Sequence, residues 1–235
     1  MLKFKFIKVN DKQPTIVLVP GWLCSVESSY NKLTEIIKKK YNVFLFDPIG
    51  VGMNKECKNT ELANVKAQAT CLVKLLMKIN IKNLILIGHS LGAIVVLIAN
   101  KILEEKDRVK KIILLDPADR CFMMTAYYGF YSTNEKRNFV KNMIADFPPN
   151  VYKDSSKVKI DVVEEIFKKL PEYLLSKNIR KCFVPNLIVI VRKGRQHNFF
   201  GIDKNKIITS NTENHFIQLY DTENIARIIS YQTNH

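Results

Sequence analysis

The sequence predicts an α/β protein built on a mostly parallel central sheet flanked by helices, and three observations carry that prediction. Short apolar runs recur, each closed by glycine or Asp-Pro: residues 15–19 before Pro20-Gly21, 42–46 before Asp47-Pro48, 84–87 before Gly88, and 111–115 before Asp116-Pro117. Apolar runs of that length without alternation read as strands buried on both faces. Between them, apolar side chains fall at helical spacing, as in Leu62, Val65, Ala69, Leu72, Val73 and Leu76. Strand–helix–strand units repeating around residues 83–92 imply crossover connections and parallel strands.

Taken in order, residues 2–9 form an opening strand, lysines outside and Leu2, Phe4 and Phe6 inside. Residues 15–19 form a buried strand that ends at Pro20-Gly21-Trp22. Ser28 or Ser29 caps a helix through Leu33, Ile36 and Ile37 that ends at Lys38-Lys39-Lys40, where cations suit the dipole. After the strand at 42–46, Thr60 is the expected cap of a helix over residues 60–79. The run 84–87 is a strand and 93–99 a buried helix; residues 104–111 are charged and exposed, and 111–115 is the next strand. Beyond it the text changes character. Aromatics and methionines crowd residues 122–131, Pro148-Pro149 interrupts, and a helical stretch at 158–170 stops at Pro171. Strands at 186–191 and 206–210 and a helix at 221–229 close the chain. No repeat or low-complexity linker divides it, so the 235 residues read as a single domain.

Composition narrows the function classes. With 47% hydrophobic residues the chain is globular. No apolar run is long enough for a membrane span, and no signal peptide opens the sequence. The net charge of +15 is carried by lysines that are mostly scattered, which argues against a nucleic-acid partner and leaves peripheral membrane or acidic-carrier contact as the anionic options. Five cysteines, Cys24, Cys57, Cys71, Cys121 and Cys182, show neither metal-ligand nor redox spacing. Reduced thiols and a cytoplasmic location are expected, with neither metal nor cofactor.

The chemistry-bearing stretch is Gly88-His89-Ser90-Leu91-Gly92, a G-x-S-x-G set between an apolar strand and an apolar helix. That placement defines a nucleophile elbow, a turn so tight that its flanking residues must be nearly side-chain-free. On these residues the chain resembles the α/β-hydrolase superfamily of esterases, lipases and thioesterases. The resemblance implies an oxyanion hole from the backbone amides of Trp22, after Pro20-Gly21, and Leu91, after the serine. It also makes Asp47-Pro48-Ile49-Gly50-Val51-Gly52 a structural D-x-x-G-x-G turn, and residues of about 120–180 a cap insertion whose aromatic stretch lines the pocket.

A serine hydroxyl needs a histidine as base and an acid to orient that base. Of the four histidines, His89 lies inside the elbow with its side chain expected to turn away from Ser90, and His235 is terminal. His215, in Asn214-His215-Phe216 before the closing helix, resembles the superfamily's C-terminal motif and is the expected base. In most relatives the acid follows the strand read here as 186–191. In this chain that loop is Gly194-Arg195-Gln196-His197, with no acid between residues 191 and 201. Some members take the acid from the strand after the elbow helix, and there Asp116 stands. Asp119 is the second choice and Asp203 the third, while His197 has no assigned role. The implied reaction is hydrolysis of a carboxylic ester or thioester through an acyl-enzyme on Ser90. Esterases that cleave acyl-carrier methyl esters are similar in size and in the Pro-Gly-Trp loop. The alternatives are acyl transfer or a lyase step on the same residues, or a ligand-binding protein that has kept only the fold.

Overall fold

The structure, a computed structural model, describes residues 2–103, 108–118, 132–168, 186–195 and 202–234. Seven strands, β1 (Phe4–Ile7), β2 (Thr15–Val19), β3 (Asn42–Phe46), β4 (Leu84–His89), β5 (Val109–Leu115), β6 (Leu187–Val191) and β7 (Ile207–Thr209), form one sheet in the order β1-β3-β2-β4-β5-β6-β7. β1 pairs antiparallel with β3, and every other pairing is parallel. Expected strand boundaries hold to within a few residues, the opening strand being shorter than 2–9.

Both sheet faces are covered, so the central strands have no polar face. Val17, Phe44, Leu86, Ile112, Leu114 and Val189 point to one face, packed by α2 (Val65–Lys78) and α3 (Leu91–Leu103). Ile16, Leu18, Val43, Ile87, Ile113 and Ile190 point to the other, packed by α1 (Val26–Ile37) and the closing helix Thr222–Asn234. α3 is apolar nearly all round because it packs on β4 and on α2 together.

Two caps differ from expectation. Ser25, not Ser28 or Ser29, caps α1: its Oγ accepts the Ser28 N–H, while the Ser28 and Ser29 hydroxyls turn back to the Ser25 carbonyl. α2 starts at Val65 under Asn64, whose side chain accepts the Ala67 N–H; Thr60 instead opens a short 3-10 turn, Thr60–Ala63. In both cases several residues could cap, and tertiary packing selected one.

Among the described residues between β5 and β6 lie three further helices, α4 (Thr133–Ile144), α5 (Pro149–Ser155) and α6 (Ile160–Lys168). Pro149 is the first residue of α5, where its missing N–H costs no hydrogen bond. Side-chain contacts tie this segment to the sheet's upper edge. The Ser155 hydroxyl donates to the Leu23 carbonyl at 2.9 Å, Ser25 Oγ donates to Asp154 at 2.5 Å, and Val162 seals Gly50. The aromatic run 122–131 lies outside the described residues.

Candidate active site

Strand order reverses about β2, because β3 and β4 lie on its opposite sides. At such a switch point the loops leaving adjacent strands diverge and open a crevice at their C-terminal ends. Gly21-Trp22 leaves β2 there, and Ser90 leaves β4.

Ser90 has φ +50, a left-handed conformation that costs a non-glycine residue and persists only where its surroundings enforce it. They do. Its N–H donates to Leu115 O at 3.0 Å, and its carbonyl accepts the Ala118 N–H at 3.3 Å, so β5 holds the turn from the side. A Cβ on Gly88 would collide with the Gly92 carbonyl, and one on Gly92 with the carbonyls of Val19 and Pro20. The elbow therefore tolerates only glycine at both flanks. Gly21 is bound by a similar constraint: a Cβ there would come within 2.9 Å of His89 Nδ1 and 3.1 Å of Ser90 Cβ. The Pro-Gly-Trp loop thus lies directly against the serine. Leu91 is the first residue of α3, so its N–H has no acceptor within the helix. Trp22 is buried, with its carbonyl accepting the Cys24 thiol.

Asp116 and His215 are brought together. Asp116 follows β5 with φ +37, its N–H continuing the ladder to Ile190 O at 2.7 Å. Its carboxylate is wholly buried, and Oδ2 lies 2.5 Å from His215 Nδ1. Burial alone would push that carboxyl up; the hydrogen bond and charge of His215, with Arg195, outweigh burial and hold it below the ordinary range. His215 is seated by its neighbours: Asn214 Oδ1 accepts the Phe216 N–H, and Phe216 wedges against Phe147 and His89. The imidazole is about one-third exposed.

The other expected residues separate cleanly. Asp203 is exposed, ahead of the 3-10 turn Lys204–Lys206. Asp119 and His197 lie outside the described residues. Asp47 braces a turn, with Oδ1 accepting the Val26 N–H at 2.7 Å and Oδ2 the Met53 N–H at 2.8 Å.

His89 is expected only to turn its side chain away from Ser90, and the structure adds a contact with His215. Its ring packs against that of His215, tilted by 44° with centroids 4.7 Å apart, and its Nε2 lies 3.0 Å from the His215 carbonyl. The carbonyl can only accept, so Nε2 carries the proton and Nδ1, buried against Gly21, has no hydrogen-bond partner. Burial, then the neighbouring charge of His215, pushes this imidazole down to about 3. Two arginines were also missed. Arg192 and Arg195, just past β6, both pair with Asp116. Their signal was in the text: two cations at the carboxyl end of a strand adjacent to the one that ends at Asp116.

Among the described residues no three His, Cys, Asp or Glu side chains gather as a metal site, and no helix is long and apolar enough to cross a membrane. A strained serine between strand and helix, with a histidine–aspartate pair from later loops, is the arrangement of an α/β hydrolase. The family model described as the alpha/beta hydrolase fold matches residues 14–231, and the chain belongs to that family. A search of curated proteins by sequence finds no match. Among solved structures the chain is similar to an esterase from Exiguobacterium antarcticum, at 14% identity, TM-score 0.79, and coverage of 100% of this chain and 96% of that one. It is similar to a lipase-esterase related protein from Clostridium acetobutylicum, at 21% identity, TM-score 0.70, and coverage of 98% and 99%. It is also similar to a bromoperoxidase from Bacillus anthracis, at 12% identity, TM-score 0.76, and coverage of 99% and 95%. At these identities the likeness concerns the fold.

Proposed function

We propose that this hydrolase-family protein cleaves a carboxylic ester or thioester through an acyl-enzyme on Ser90, with His215 as base and Asp116 as the acid that orients it. The observation that carries this reading is the buried Asp116 carboxylate on His215 Nδ1, in a site whose serine is held in a left-handed elbow. With Nδ1 engaged, Nε2 is the nitrogen left to take the Ser90 proton as the hydroxyl attacks an acyl carbonyl. The amides of Trp22 and Leu91 receive the oxyanion. Such preorganised donors stabilise the charge that develops in the transition state. His215 then protonates the leaving group and activates the water that releases the acid. The helices between β5 and β6 act in this reading as a cap on the same domain, supported by their hydrogen bonds to the loop after β2.

The test is a panel of acyl esters and thioesters of graded chain length, assayed beside Ser90→Ala. Hydrolysis of at least one member, abolished in Ser90→Ala, supports the reading; equal rates in the two proteins would refute it. Adding an acceptor alcohol distinguishes hydrolysis from acyl transfer by its products.

A further inference from the structure

The Asp116 carboxylate carries more partners than orienting one imidazole requires. Oδ2 accepts from His215 Nδ1 at 2.5 Å and from Arg192 Nη1 at 2.8 Å. Oδ1 accepts from Arg195 Nη1 at 2.6 Å and from the Arg192 backbone N–H at 3.3 Å. Arg195 also donates through Nη2 to Pro117 O at 2.8 Å, so one guanidinium grips both the carboxylate and the backbone beside it. The Arg195 side chain is only 10% exposed, whereas that of Arg192 is 37% exposed. Arg192 Nη1 also lies 3.3 Å from His215 Nδ1.

We propose that Arg195, assisted by Arg192, is a positioning residue for the acid: the two guanidiniums clamp Asp116 through both carboxylate oxygens, so that an acid seated on β5 is held in place from β6. The inference rests on the proposed roles of Ser90, His215 and Asp116. It accounts for the departure at the loop after β6. Where most relatives carry the acid, this chain carries cations that hold an acid delivered by the neighbouring strand. A fully buried carboxylate beside a neutral imidazole is poorly compensated, and fixed cations supply the compensation throughout the catalytic cycle. A planar, forked guanidinium does this better than an ammonium, because it sets direction as well as charge.

The arrangement has a consequence for pH. The charged and titratable groups at the pair are Arg192 and Arg195 from the end of β6, His89 from the end of β4, Asp116 after β5 and His215 itself. Two cations against one carboxylate oppose protonation of the acid, so removing one makes that protonation easier. The acid limb of the rate profile should then move to higher pH.

The experiment measures the rate of Ser90 labelling by a fluorophosphonate probe against pH, which needs no knowledge of the natural substrate. Arg195→Met is expected to move the acid limb up by about one pH unit and to lower the plateau on the order of 10-fold. Arg195→Lys, which keeps the charge but not the fork, is expected to leave the limb near its wild-type position with a reduced plateau. If Arg195→Met does not fold, the more exposed Arg192→Met decides, with an upward movement of the limb expected. Folded Met variants with wild-type plateau and limb would overturn the clamp. Labelling of Ser90→Ala at the wild-type rate would instead overturn the roles on which the clamp rests.

Discussion

His89 couples the site to stability, and the size of the coupling follows from its surroundings. The ring is buried, donates through Nε2 to the His215 carbonyl and has no acceptor for a second proton at Nδ1. Its ionisation lies at about 3 in the folded protein, against an ordinary 6.5. Between those values the unfolded chain binds the proton and the folded chain does not, so stability falls as the pH is lowered through this window and is fully present above about 6.5. Each pH unit is worth about 1.4 kcal/mol per proton, so acidification from pH 6.5 to 4.5 should cost roughly 2 kcal/mol through this residue alone, with rounding near the upper end. His89→Gln keeps an N–H donor near the His215 carbonyl and cannot titrate. The assay is urea unfolding at pH 7.5, 6.5, 5.5 and 4.5 for both proteins. The wild-type free energy is expected to fall more steeply than that of the variant, with the gap opening below pH 6.5. Parallel curves would show that His89 is not held neutral in the folded protein.

Further expectations concern the acid, the oxyanion loop and the D-x-x-G-x-G turn. Asp116→Asn should preserve the fold yet cut turnover on an ester found in the panel by several orders of magnitude, since the comparable change in a serine protease costs about 10⁴. Asp203→Asn, on an exposed turn, should leave turnover within about 2-fold, surface changes being nearly neutral; the reverse ranking would move the acid to Asp203. Trp22→Ala should retain activity while Trp22→Pro, which lacks the N–H, should lose on the order of 100-fold, and equal rates would place the oxyanion donor elsewhere. Asp47→Asn turns an NH₂ toward either the Val26 or the Met53 N–H and should cost about 1–3 kcal/mol in urea unfolding. An unchanged midpoint would show that the turn is braced by other contacts.

The sheet and the elbow were legible because their causes are local. Residues 84–92 hold an apolar run, two small flanks and a serine, and a chain so composed has few ways to fold. The caps were less legible: Ser25, Ser28 and Ser29 all suit an N-terminus, and Asp47 and Asp154 from distant segments fix the choice on Ser25. At the site, the lack of an acid between residues 191 and 201 pointed to Asp116 at the end of the preceding strand. The packing of His89 against His215 and the pairing of Arg192 and Arg195 with Asp116 each join residues more than 70 positions apart. Such contacts depend on strand order, and a single sequence does not state that β6 lies beside β5. The glycine after Pro20 was legible as a turn, but not as the gap that admits His89 and Ser90.

The central claim is that Ser90 forms a covalent acyl intermediate, and trapping that intermediate tests it most directly. The protein is mixed with an activated aryl ester, quenched in acid within the first turnovers, and examined by intact and peptide mass spectrometry. The expected result is one acyl group per chain on the peptide containing Ser90, absent from Ser90→Ala and accumulating when deacylation is the slow step. Hydrolysis of that ester with the acyl group on another residue, or unimpaired hydrolysis by Ser90→Ala, would contradict the account.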